Sequence, residues 1–251
     1  MDGKNLTSIK TICLQGFRTP QNLTTLVFFL FLLIYCATIC GNLLIITLVS
    51  YSKSLHSPMY FFLSQLSLSD ILLVTEILPS MLQAVLVKER EVLLSMCISQ
   101  FYFFAVSLTF ENLLLTAMSY DRYLAICKPL HYNSTMTYKL CWILVTISWT
   151  LSFFIVLIHT ITMSRLYFCG PNVIDYFFCD LDPILKLSCS DTTIVQLEAT
   201  STTIVFCFIP VILIIVSYVY ILATIFNIPS IIGRQKAFST CSSHLTVVSI
   251  Y

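Results

Sequence analysis

The chain has 251 residues, of which 58% are hydrophobic and only 10% charged, and its formal net charge is +1. A soluble domain carries roughly a quarter charged residues, so this composition excludes a surface covered by water and describes a protein folded in lipid. With 13 Lys and Arg against 12 Asp and Glu, there is no basic field to hold nucleic acid.

Residues 1–22 are mixed and polar. They carry no cleavable signal peptide and read as an extracellular amino-terminal tail. The first apolar helix then serves as the insertion signal. Asn5-Leu6-Thr7 in this tail is a glycosylation acceptor pattern. Six apolar segments follow, at about 23–49, 58–82, 96–126, 140–161, 196–226 and 237–251. The predicted fold class is an all-α membrane protein. A span needs about 20 apolar residues, and the first five segments qualify. The sixth, with about 15 residues, rises about 22 Å, short of the roughly 30 Å hydrocarbon core.

Asp70 and Glu111 stand in the middle of apolar segments. Facing lipid, each would cost roughly 2.5–3.5 kcal/mol, so both are predicted to face the interior. Two neighbouring carboxylates do not both ionise cheaply. They share a proton or hold a cation, or they stay neutral in hydrogen bonds with Asn42 and nearby polar groups.

The positive-inside count does not orient the chain. With the amino terminus outside, the inner side holds Lys53, Arg122, Lys128, Lys139, Arg234 and Lys236. The outer side then holds Lys4, Lys10, Arg18, Lys88, Arg90, Arg165 and Lys186. The rule needs an inner excess. Cysteines decide instead. Cys97 and Arg122 lie on one helix, separated by about 37 Å of rise, and so at opposite faces. The loop after the fourth segment holds Cys169, Cys179 and Cys189. With Cys97 these make enough for two disulfides, which persist on the oxidising side. That face is therefore outside, and Arg122 is cytosolic. Three pairings of four cysteines stay open. Asn133-Ser134-Thr135 matches the acceptor pattern too, but falls in the cytosol and should carry no sugar.

Asp121-Arg122-Tyr123 closes the third segment. Taken alone it suits an interfacial anchor or a switch in which the guanidinium moves between Asp121 and a partner. Placed at the interface, Asp121 would meet water if Arg122 were removed, so the expected loss is in signalling and not in folding. Glu111 and Arg122 are three helical turns apart on one face. Phe104, Ala105, Leu108 and Asn112 lie on or near that interior stripe, apolar above and polar below. No nucleophile or metal set supports an enzyme. No paired half-helices with Gly or Pro breaks support a transporter.

The run from Met118 to Tyr132, Met-Ser-Tyr-Asp-Arg-Tyr-Leu-Ala-Ile-Cys-Lys-Pro-Leu-His-Tyr, resembles the end of the third helix of rhodopsin-like G-protein-coupled receptors. In full it resembles the olfactory (odorant) receptor family. The likeness continues in Gly41-Asn42, in Leu55-His56-Ser57-Pro58-Met59-Tyr60-Phe61-Phe62-Leu63, and in Leu66-Ser67, Asp70 and Trp149. It runs on through Phe168-Cys169-Gly170-Pro171-Asn172, Phe177-Phe178-Cys179-Asp180, Ser217-Tyr218 and the run from Lys236 to Leu245. The resemblance implies a seven-helix receptor bundle, here lacking its seventh helix.

It also implies Cys97–Cys179 and Cys169–Cys189 disulfides and a sodium-type site at Asp70 and Glu111, with no other metal and no cofactor. It implies an odorant pocket at Phe104, Ala105, Leu108, Thr109, Thr202, Thr203 and Phe206. It assigns coupling to Asp121, Arg122 and Tyr123, with Tyr218 approaching Arg122 in the active state. The implied partners are a small volatile odorant and an olfactory-type stimulatory G protein, at the plasma membrane. A truncated, non-signalling receptor fragment is the alternative, with a polytopic transporter ranked below it, and the 251-residue chain alone is expected not to signal.

Overall fold

The computed structural model describes residues 9–16, 20–87, 89–169 and 172–250. The elements in chain order are β1 (Thr11–Gln15), α1 (Gln21–Tyr51), α2 (Pro58–Leu86), β2 (Glu89–Leu93), α3 (Leu94–Cys127) and α4 (Pro129–Thr135). Then come α5 (Tyr138–Ser164), β3 (Val173–Ile174), α6 (Leu181–Leu185), α7 (Thr193–Thr203), α8 (Ile209–Phe226) and α9 (Ile231–Ile250). Lipid offers no hydrogen bonds, so spanning backbone must satisfy itself within helices. Five helical stretches are long and apolar enough to cross a membrane: Leu23–Tyr51, Pro58–Leu86, Leu94–Cys127, Tyr138–Ser164 and Thr193–Phe226. Each runs past one or both of the ends expected from hydropathy.

The last of these stretches is not uniform. A π-helical turn at Ile204–Phe208 joins α7 to α8. Pro210 follows it and has no N–H to bond the carbonyl four residues back. The wider turn absorbs this, and the Ile209 N–H bonds the Ile204 carbonyl, five residues back.

The chain divides into two compact units, residues 1–44, 68–108 and 152–201, and residues 45–67, 109–151 and 202–251. The first contains a three-stranded sheet of order β2-β1-β3. Its β1 pairs antiparallel with β2, from Thr11 opposite Leu93 to Gln15 opposite Glu89. It also pairs parallel with β3 through Cys13–Val173 and Leu14–Ile174. Alternation sends Ile12 and Leu14 inward, where they pack with Phe101, Met163, Phe168, Ile174 and Ile184. The fold is mostly helical, as the apolar segments predict, with this small sheet added, and residues 11–15 of the amino-terminal tail contribute a core strand to the unit. Gly16 is required where β1 ends, because a Cβ there would strike the backbone carbonyl oxygens of Ala84 and Val87.

The second unit is built on α3. Phe110, Leu114 and Met118 are buried against Phe62 and Leu66 of α2, Cys141 and Val145 of α5, and Ile214, Tyr218 and Ile221 of α8. Phe110 stacks on Trp149 with ring centroids 3.8 Å apart. In this unit α9 starts at Ile231, earlier than the apolar run beginning at 237. Ser230 caps it, since its Oγ accepts the Gly233 N–H at 3.3 Å. Arg234 turns back to donate to the carbonyls of Ile228 and Phe226, at 3.2 and 3.4 Å, which end α8.

Candidate functional site

Two constellations carry the chemistry, one in each unit. In the second unit the end of α3 holds a buried charge pair. Asp121 is 0% and Arg122 6% exposed. Asp121 Oδ2 accepts from Arg122 Nε at 2.8 Å and from Nη2 as well, a two-pronged clamp. Its Oδ1 accepts from the Tyr132 hydroxyl at 2.9 Å. Tyr132 arrives there because Pro129 opens the short helix α4. Burial raises the Tyr132 phenol pKa, and the Asp121 carboxylate raises it further. The phenol therefore stays protonated and donates.

This overturns one expectation. Asp121 is not at a wet interface, so removing Arg122 would strand a buried carboxylate. Tyr132 is also a partner that the triplet alone does not reveal.

Tyr218 is buried in the cluster that includes Met118, Leu124 and Cys241. Tyr123 is partly buried against the same cluster and meets Tyr220 edge to face at 6.3 Å. Cys127 Sγ and Thr224 Oγ1 are 3.2 Å apart, tying the end of α3 to α8. Glu111 is 1% exposed in this unit. Asp70, half-buried, belongs to the other unit.

In the first unit Cys97 is bonded to Cys179 and Cys169 to Cys189. Cys13 on β1 is a free thiol in the same unit. Burial raises its pKa, and Glu89 and Glu91 add to this, which disfavours the thiolate.

Gln100, one turn after Cys97, is a further organising residue. Its Nε2 donates to the Glu76 carbonyl at 2.7 Å and to Ser80 Oγ at 2.8 Å. Its Oε1 accepts from the Cys179 N–H at 3.4 Å. One neutral side chain thus joins α2, α3 and the disulfide loop. A cavity of about 450 Å³ opens beside it, lined by Glu76, Ser80, Arg90 and Phe103 among others.

None of the seven expected ligand residues lines that cavity. Phe104 instead packs edge to face on Phe178, 5.6 Å between centroids, and Ala105 packs on the core of the first unit. Leu108 departs from the interior stripe and is 44% exposed. Thr109, Thr202 and Phe206 are half-buried and Thr203 is exposed, all in the second unit.

Five membrane-length helices, with disulfide-tied loops at one end of α3 and a buried Asp-Arg pair at the other, define a multi-pass helical membrane protein. Residues 31–251 match the olfactory receptor family model. Olfactory receptor 1468 of Rattus norvegicus is 44% identical over all 251 residues, which span 80% of that receptor. Olfactory receptor 1M1 of Mus musculus is 42% identical and olfactory receptor 1E1 of Homo sapiens 43%, each with the same coverage. The chain belongs to the olfactory receptor family, whose members are receptors and not enzymes.

Proposed function

We propose that the protein is an odorant-gated receptor of the plasma membrane, with its amino terminus outside. A small volatile, mostly apolar molecule binds among the helices, and the Arg122 end of α3 then activates an olfactory-type stimulatory G protein. The observation that carries this reading is the Asp121–Arg122–Tyr132 network. A buried, fully paired charge cluster at a helix end is costly to build, and a pair that can exchange partners is one use for it.

Odorant contacts are assigned to Phe104, Ala105, Leu108, Thr109, Thr202, Thr203 and Phe206. Apolar side chains with a few hydroxyls hold such a ligand by area burial and one oriented hydrogen bond. The π turn gives Phe206 an orientation that a regular helix would not. Asp70 and Glu111 are assigned a shared proton or a sodium ion. Tyr218 is assigned to meet Arg122 in the active state, reached by population shift under a ligand that prefers it. Asn5, assigned a glycan, lies outside the described residues.

The test is a panel of apolar volatiles, each bearing one alcohol, aldehyde, ketone or ester, applied to cells expressing the protein with the olfactory G protein. At least one should raise cyclic AMP in a dose-dependent way. Silence across the panel at verified surface expression would count against the reading.

A further inference from the structure

A second cavity, not used above, lies within the second unit among α3, α5 and α8. Its volume is about 560 Å³, with Leu113, Leu144, Leu151, Leu213 and Val216 among its walls. Along α3 it runs from Leu113 to Tyr123. Ten residues rise about 15 Å, half of the roughly 30 Å hydrocarbon core. The cleft therefore has the depth of one leaflet.

Its hydroxyls are divided by position. Those of Thr116, Ser119, Ser148 and Ser217 donate to carbonyls of their own helices, so they leave the wall effectively apolar. Those of Tyr120, Tyr123 and Tyr220 have no hydrogen-bond partner among the described residues. Tyr120 and Tyr123 border the cleft near the end of α3. There the Lys128 ammonium stands 6.0 Å from the Tyr123 ring centroid. The nearby Asp121 carboxylate does not cancel it, being taken up by Arg122 and Tyr132.

We propose that this cleft binds one anionic phospholipid, an acyl chain along the apolar wall and the phosphate against Lys128 and the tyrosine hydroxyls. A sterol would occupy one hydroxyl and leave Lys128 without an anion. Assigning the lipid to the inner leaflet, where anionic lipids concentrate, rests on the orientation proposed above. The site itself does not.

The test uses the purified protein in nanodiscs of phosphatidylcholine, phosphatidylserine and cholesterol, with retained lipids counted by native mass spectrometry. Both leaflets have one composition there, so a wrong orientation would not alter the outcome. Phosphatidylserine should be retained about fivefold over phosphatidylcholine, the factor expected from one lysine near the headgroups. Lys128→Ala should erase the preference. Tyr220→Phe, which deletes only a hydroxyl, should weaken phosphatidylserine retention. Val216→Trp, at a position 45% exposed, should fill the cleft and release phospholipid of both kinds. Equal retention of the two phospholipids, cholesterol in their place, or a preference surviving Lys128→Ala would overturn the proposal.

Discussion

Arg122→Ala is expected to cost the protein its fold as well as its signal. Asp121 is 0% exposed and gives one oxygen to Arg122 and the other to Tyr132. Without the guanidinium a buried carboxylate is left with a single neutral donor. Breaking a buried pair from one side costs about 3–5 kcal/mol, comparable to the whole stability of many domains. Surface expression should therefore fall sharply, and a lost response from this variant alone would say nothing about coupling. The informative variant is Asp121→Asn with Arg122→Gln. It removes both charges together, and the amide oxygen of residue 121 still accepts from Tyr132. Surface staining should return toward the unmodified level while the cyclic AMP response stays absent. Normal expression of Arg122→Ala would refute the burial argument, and a normal response from the neutral double variant would refute the coupling role.

The second large effect concerns the disulfide between Cys97 and Cys179, which closes 82 residues of sequence. Replacing both cysteines by Ala should destabilise the protein by about 2–5 kcal/mol. The loss should spread through the first unit. The bond holds the loop that supplies Phe178 to Phe104 and the Cys179 N–H to Gln100. Replacing Cys169 and Cys189 should cost less, because that bond closes only 20 residues and Cys189 is exposed. Thermal unfolding of the two double variants in detergent measures the order directly. Equal midpoints, or the reverse order, would mean that Cys97–Cys179 is not the main tie of this unit.

The helices were legible because lipid demands long uninterrupted apolar runs, and 251 residues with five glycines provide them. The sheet was not. Thr11-Ile12-Cys13-Leu14-Gln15 alternates as a strand should, but five residues in a polar segment carry little signal. Its partners lie 74 residues or more away, at 89–93 and 173–174. The cysteine count narrowed the pairing to four residues and could go no further, since spacing does not choose among three connectivities. Cys13 shows why, since it lies in the sheet of the same unit and stays unpaired. Gln100 was invisible for a different reason. A neutral amide in an apolar helix has no spacing pattern, and its importance appears only when Glu76, Ser80 and Cys179 surround it. The burial of Asp121 was misread because adjacent charges at a helix end look interfacial. Only the fold of α4 brings Tyr132 over them.

The most direct test of the receptor reading is guanine-nucleotide exchange on purified olfactory-type G protein, driven by this protein in nanodiscs with an odorant found active in the panel. The predicted result is exchange that accelerates with odorant concentration and stays at the basal rate with the Asp121→Asn, Arg122→Gln variant. Exchange that ignores the odorant, or that the variant supports equally well, would contradict it.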